Sequence, residues 1–176
     1  MRKLEMTELN RLSADAFKTI EKLPITIVLD NVRSALNVGS AFRTGDAFAV
    51  TELILCGFTA QPPHREILKT ALGSTESVAW RHFQSVEMAM QTLQAEGNTI
   101  YAIEQIENSI SLQNFVIDKN AKYALIFGNE VEGVSEEALK YVVGAIEIPQ
   151  FGTKHSLNIA VTVGIVTWEL VKQLKK

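Results

Sequence analysis

Ala124-Leu125-Ile126-Phe127-Gly128-Asn129-Glu130-Val131-Glu132-Gly133 runs four apolar residues into a turn bracketed by two glycines. An unbroken apolar run of that length is how a parallel strand buried on both faces reads, and the polar, glycine-rich break marks its carboxyl end. Working outward, similar runs recur at residues 25–29, 53–56, 99–103 and 145–148, and residues 78–83 add a shorter strand. Helical patterns lie between them at 38–48, at 86–96 between Ser85 and Gly97, and at 135–141 behind Ser135-Glu136-Glu137. Strand alternating with helix makes the class α/β, a mainly parallel sheet with helices on both faces.

The chain has 176 residues, 47% of them hydrophobic, enough for one domain with a real core. Leu9, Leu12, Phe17 and Ile20 recur at helical spacing before Pro24, so residues 1–23 read as a helical arm on a domain of residues 24–176. The pair Pro62-Pro63 marks an exposed loop. Residues 157–174 are apolar on nearly every side, and such a helix must be covered all round. Its own core and a second subunit both remain open as the cover.

The single cysteine, Cys56, excludes a disulfide framework and a thiolate metal site, and implies a reducing, cytoplasmic setting. No apolar leader and no membrane span is evident. A net charge of −3 excludes a protein that coats nucleic acid indiscriminately. Any contact with such a polymer must be local, through Arg33, Arg43, His64-Arg65 with Lys69, or Lys154-His155. Each of these also reads as ordinary solvated surface.

Ligands in parallel α/β proteins gather beyond the carboxyl ends of strands, which singles out three segments. After residue 29 comes Asn37-x-Gly39-x-x-x-Arg43. Asn37 fits a helix N-cap, and Gly39 inside a first turn costs about 1 kcal/mol against alanine, so backbone or ligand must approach it closely. After Phe127 come the two glycines around Glu130; Val134-Ser135 stands where a phosphate-binding loop needs Lys and Ser or Thr. After residue 148 comes Pro149-Gln150-Phe151-Gly152-Thr153-Lys154-His155-Ser156-Leu157-Asn158. His155 and Ser156 are adjacent and lack a nucleophile elbow, which argues against serine catalysis. Ser156 fits the cap of the last helix, with Asn158 in its first turn.

Taken in order, N-x-G-x-x-x-R at 37–43, F-G-N-E-x-x-G at 127–133, and I-P-Q-x-G with S-L-N at 148–158 resemble the three motifs of the SpoU/TrmH family of RNA ribose methyltransferases. The resemblance covers about residues 25–174. It implies a homodimer whose C-terminal part is threaded into a trefoil knot, with S-adenosylmethionine bound by the knot loops. By position those loops carry Glu104, Gly128, Asn129, Gly133, Ile148, Gln150, Ser156 and Leu157. Gln150 departs from the usual methionine, and Ala160 from a small hydroxyl residue. The RNA-binding domain that precedes this unit in some relatives is not expected, which leaves only the arm.

The resemblance further implies a catalytic set of Asn37, Arg43, Glu130, Ser156 and Asn158. Arg43 would stabilise the ribose oxygen as it attacks, or act as base; Glu130 would orient Arg43 or the sulfonium. Asn37 and Asn158 would fix hydrogen-bond geometry, and Ser156 would support the arginine or the ribose. No metal is required. RNA is the partner, transfer RNA and a D-loop guanosine foremost, with Arg33, Arg65, Lys69 and Lys154 on its phosphates. A ribosomal RNA substrate, or a silent RNA-binding protein on the same scaffold, are the alternatives.

Overall fold

The computed structural model describes residues 1–9 and 11–175. Its apolar runs become β1 (Leu23–Asp30), β2 (Val50–Cys56), β3 (Trp80–Phe83), β4 (Asn98–Ile103), β5 (Ile110–Ser111), β6 (Lys122–Phe127) and β7 (Gly144–Glu147). They form one seven-stranded sheet in the order β3-β2-β1-β6-β4-β7-β5. Every pairing is parallel. The helices are α1 (Ala14–Thr19), α2 (Ala35–Ala47), α3 (Arg65–Ala71), α4 (Ser74–Ser77), α5 (Val86–Ala95), α6 (Glu136–Leu139) and α7 (Ile159–Leu174).

Alternate strand residues feed two cores. Ile27, Leu29, Leu53 and Leu55 pack with Phe42 of α2, Ile67 of α3 and Val163, Val166 and Leu170 of α7. Val28, Ile54 and Ile126 face the other way, onto Met90 and Leu93 of α5 and Ala138 of α6. Helices thus cover both faces. Cys56 is buried at the end of β2; burial, then the charge of Asp30, pushes its thiol up to about 12.

Several local expectations change. The arm is not one continuous helix: a 3₁₀ turn at Met6–Leu9 precedes α1, whose start is fixed by Ser13 accepting from Ala16 N–H. Asn10, inside the expected arm helix, lies outside the described residues. Helices α3 and α4 and strand β5 are additions to the sequence pattern, and α6 is a single turn. Ser34, not Asn37, caps α2. Asn158, not Ser156, caps α7, its Oδ1 accepting from Ala160 and Val161 N–H. What approaches Gly39 is α3: a Cβ there would fall 2.2 Å from Thr70 Oγ1 and 2.3 Å from the carbonyl oxygen of Ile67, so the glycine lets α3 lie against α2.

One face of α7 covers the sheet and packs against α2. The opposite face, with Val161, Ile165 and Trp168, is open, although Trp168 leans on Phe48 at 5.7 Å between ring centroids. Among the described residues, no helix is long and apolar enough to cross a membrane.

Candidate active site

A cavity of about 620 Å³ opens where β4, β6 and β7 end, its wall including Ile103, Phe127 and Glu147. Three loops complete it: Glu104-Gln105 after β4, residues 128–133 after β6, and residues 148–158 between β7 and α7. All the residues expected from sequence to hold the cofactor line this one space: Glu104, Gly128, Asn129, Gly133, Ile148, Gln150, Ser156 and Leu157.

The turn after β6 is closed by Asn129 N–H donating to Gly133 O at 2.8 Å and Gly133 N–H donating to Asn129 O at 2.9 Å. The chain folds back so tightly that a Cβ on Gly128 would lie 2.0 Å from the Gly133 carbonyl carbon and 2.1 Å from Val134 N. Gly133 has φ +73°, the left-handed region that favours glycine, and a Cβ there would meet Glu104 Oε2 at 2.3 Å. Glu104 itself accepts from Val134 N–H at 3.1 Å and Gln105 N–H at 2.9 Å, tying the β4 loop to the β6 loop. Asn129 Nδ2 donates to Asn31 O at 2.8 Å, and Asp30 accepts from Ser135 N–H at 3.0 Å, so β1 steadies the same turn.

At the rim, a polar chain joins the three motifs. Glu130 accepts from Arg33 N–H at 2.9 Å, Ser34 N–H at 3.1 Å and Asn37 Nδ2 at 3.0 Å. Asn37 Oδ1 in turn accepts from Asn158 Nδ2 at 3.3 Å. Burial works to raise the Glu130 carboxyl, but the hydrogen bonds from Arg33, its own amide, Asn37 and Ser34 outweigh it and hold the group below its ordinary value. The charge also sits beside the amino end of α2, where the helix dipole favours an anion. Within this chain Glu130 therefore orients Asn37 and the entry to α2.

Arg43 is exposed and does not line this cavity. It borders a separate recess with Ser40, Thr44, Phe48, Lys69 and Gly164 of α7. Of the other expected cations, Arg33 adjoins the rim through its backbone bond to Glu130, and Lys154 stands on the loop of residues 148–158. Arg65 and Lys69 lie on α3, Lys69 paired with Glu66 at 2.6 Å. Among the described residues no group of three or more His, Cys, Asp or Glu side chains gathers to hold a metal ion.

The sequence profile of the SpoU rRNA Methylase family matches residues 24–168. The chain belongs to this family. Among its SpoU-type relatives, a tRNA (guanosine(18)-2'-O)-methyltransferase of Thermus thermophilus is 31% identical over 172 residues, 98% of this chain and 87% of the relative. Among solved structures, the AdoMet-bound rRNA methyltransferase from Sinorhizobium meliloti superposes with a TM-score of 0.79 at 28% identity over 90% of this chain. This chain spans 60% of that protein's length. The A. aeolicus TrmH/SpoU tRNA modifying enzyme superposes with a TM-score of 0.78 at 25% identity, over 92% of this chain and 80% of that one.

Sequence reasoning missed some residues that build this SpoU site. Glu132 and Glu147 also line the cavity, and Asp30, buried at the end of β1, anchors the turn. Asp30 had a signal, since it is the first polar residue after an apolar run. Glu147 was passed over because it interrupts a run of strand residues one position before the I-P-Q motif begins.

Proposed function

We propose that this SpoU chain transfers the methyl group of S-adenosylmethionine to a ribose 2′-hydroxyl of RNA, with transfer RNA as substrate and a D-loop guanosine as target. The observation that carries the reading is convergence: the second and third motifs close one cavity, and the first, far away in sequence, joins them at its rim through one hydrogen-bonded chain, Glu130–Asn37–Asn158. The transfer-RNA choice rests on the Thermus relative, matched over 98% of this chain. Ribosomal RNA is the second reading, favoured by the Sinorhizobium neighbour.

The cavity suits the methyl donor. Glu104, Glu130, Glu132 and Glu147 give its lining an anionic character that complements a sulfonium and an ammonium group. The backbone at Gly128 is packed too closely for a Cβ, which keeps the cavity wall there free of a side chain. Bound there, S-adenosylmethionine supplies a methyl group already activated for displacement. The protein's task is then to place the ribose oxygen in line and to stabilise its developing charge. Asn37 and Asn158 hold the rim geometry through their mutual bond. Arg43 donates to the oxygen or its neighbouring phosphate; a guanidinium already carries its full set of protons and cannot serve as base, so the proton leaving the 2′-hydroxyl passes to phosphate or water. Ser156 contributes a hydroxyl on the cavity wall.

Arg43 can play this part only in a cavity it does not itself line, and a homodimer supplies one. The cavity reaches the first turns of α7 at Ile159 and Thr162, and the Arg43 recess borders the same helix at Gly164. A two-fold contact through Val161, Ile165 and Trp168 would bring one protomer's Arg43 toward its partner's cavity. The C-terminal trefoil knot is proposed with it; the return of the chain from β7 to α7 against β1 and α2 supports that path. A cytoplasmic location and a boundary between arm and domain at residues 23 and 24 complete the reading.

Purified protein incubated with methyl-labelled S-adenosylmethionine and separate pools of transfer and ribosomal RNA tests the assignment. Label should enter transfer RNA as a 2′-O-methylated nucleoside. Label confined to ribosomal RNA would reverse the substrate choice, and label on a base would overturn the ribose reading.

A further inference from the structure

We propose that Phe151 is the platform on which the target nucleotide's base stacks, placing its ribose at the mouth of the cavity; the inference rests on the methyl-transfer reading above. Phe151 is 96% exposed, an aromatic ring left almost wholly in water. It stands in the loop of residues 148–158, between Gln150 and His155, both of which line the cavity. The adjoining Gly152 is uncrowded as well, since a Cβ there would meet nothing within 4 Å outside its chain neighbours.

Charge is divided across the site in a way that identifies the occupant. The cavity carries the glutamates, which repel phosphate and attract a cationic methyl donor. The loop above it carries Lys154 and His155 and no acidic residue. A ring flanked by cationic or donor side chains matches a nucleotide, which presents a flat base beside an anionic phosphate. A protein partner or a membrane would call for a wider apolar surface than one ring. Because Gln150 and His155 already touch the cavity, a base on Phe151 belongs to the ribose nearest the methyl donor. Stacking tolerates any base, so Phe151 positions the nucleotide without choosing its identity.

The test compares Phe151→Ala, Phe151→Leu and Phe151→Trp with the wild type, measuring transfer-RNA binding by anisotropy, S-adenosylmethionine binding by calorimetry, and the KM for each. Phe151→Ala should weaken RNA binding and raise its KM by about 5- to 100-fold, the range expected for removal of one aromatic–base stack. Affinity for S-adenosylmethionine should stay within about two-fold, because the ring lies outside the cavity wall. Leucine, apolar but not planar, should behave like alanine. Tryptophan should restore binding and show fluorescence quenching on RNA addition beyond that of Trp80 and Trp168 in the wild type. Unchanged RNA binding in Phe151→Ala, or a leucine variant as good as phenylalanine, would overturn the stacking role while leaving methyl transfer intact. A parallel loss of cofactor affinity would make Phe151 part of the cavity wall and also overturn it. A wild-type protein that binds the cofactor but neither binds nor methylates RNA would overturn the underlying reading, and this inference with it.

Discussion

Replacing Gly128 by alanine should damage the fold and the cavity more than the same change at Gly133, although both glycines bracket one turn. The Gly128 Cβ would lie 2.0 Å from the Gly133 carbonyl carbon and 2.1 Å from Val134 N, both backbone atoms held in place. Relief requires the turn to open, which breaks the paired Asn129–Gly133 hydrogen bonds of 2.8 and 2.9 Å. Those are worth about 1 kcal/mol each, and residual overpacking about 1–3 kcal/mol, so the variant should lose about 3–5 kcal/mol. For a chain of this size that lowers the melting temperature by about 6–20 °C. At Gly133 the obstacle is Glu104 Oε2, the tip of a side chain that can swing aside. The cost there is left-handed strain of about 1–2 kcal/mol plus a bond to Val134 N–H that solvent partly replaces. Thermal unfolding followed by circular dichroism, with calorimetric titration of S-adenosylmethionine, reads both effects. Glu104→Ala should relieve the steric part of Gly133→Ala and none of Gly128→Ala. A Gly128→Ala protein as stable as wild type, or sturdier than Gly133→Ala, would refute the account of the turn.

Arg43→Ala should lower turnover by about 10²–10³-fold while S-adenosylmethionine affinity stays within a few-fold, because Arg43 stands outside its own chain's cavity; equal losses in turnover and cofactor titration would contradict its assignment to the ribose side. Ile165→Asp or Trp168→Asp should give folded monomers by light scattering, since both side chains are open on α7. Val163→Asp and Val166→Asp should instead give insoluble protein, because each would bury an uncompensated charge at a cost of about 3–5 kcal/mol. Glu130 is held below its ordinary value on folding, so its contribution to stability is present above the unfolded carboxylate range and lost as pH falls through the folded value. Between about pH 6 and about pH 3 the melting temperature of wild type should therefore fall more steeply than that of Glu130→Gln, and parallel curves would show that the carboxylate does not couple to folding.

The strands were legible because their physics is local. A parallel strand covered on both faces needs apolar side chains at every position, and β1, β2, β4 and β6 announce themselves in that way. The glycine turn was legible for a related reason, since a close backbone approach and a left-handed φ leave little choice of residue at 128 and 133. The ordered motifs pointed to the site, and the residues expected to hold the cofactor do share one cavity. Helix α3 escaped notice because only Ile67 and Ala71 of its seven residues are buried, too few to set up a period.

What only the tertiary structure decided are relations between distant residues. Sequence placed Glu130 in a motif, but only the sheet order, with β6 inserted beside β1, brings its carboxylate to Asn37, 93 positions away. The same packing left Arg43 outside the cavity that the second and third motifs line. Helix α7 shows the limit most directly. Val163 and Val166 face the sheet, while Val161, Ile165 and Trp168 face outward. A helix apolar on every side has no polar face to fix its rotation, so the neighbour it packs against sets which residues turn inward. Composition decided that α7 must be covered; the sheet decided which half of it is.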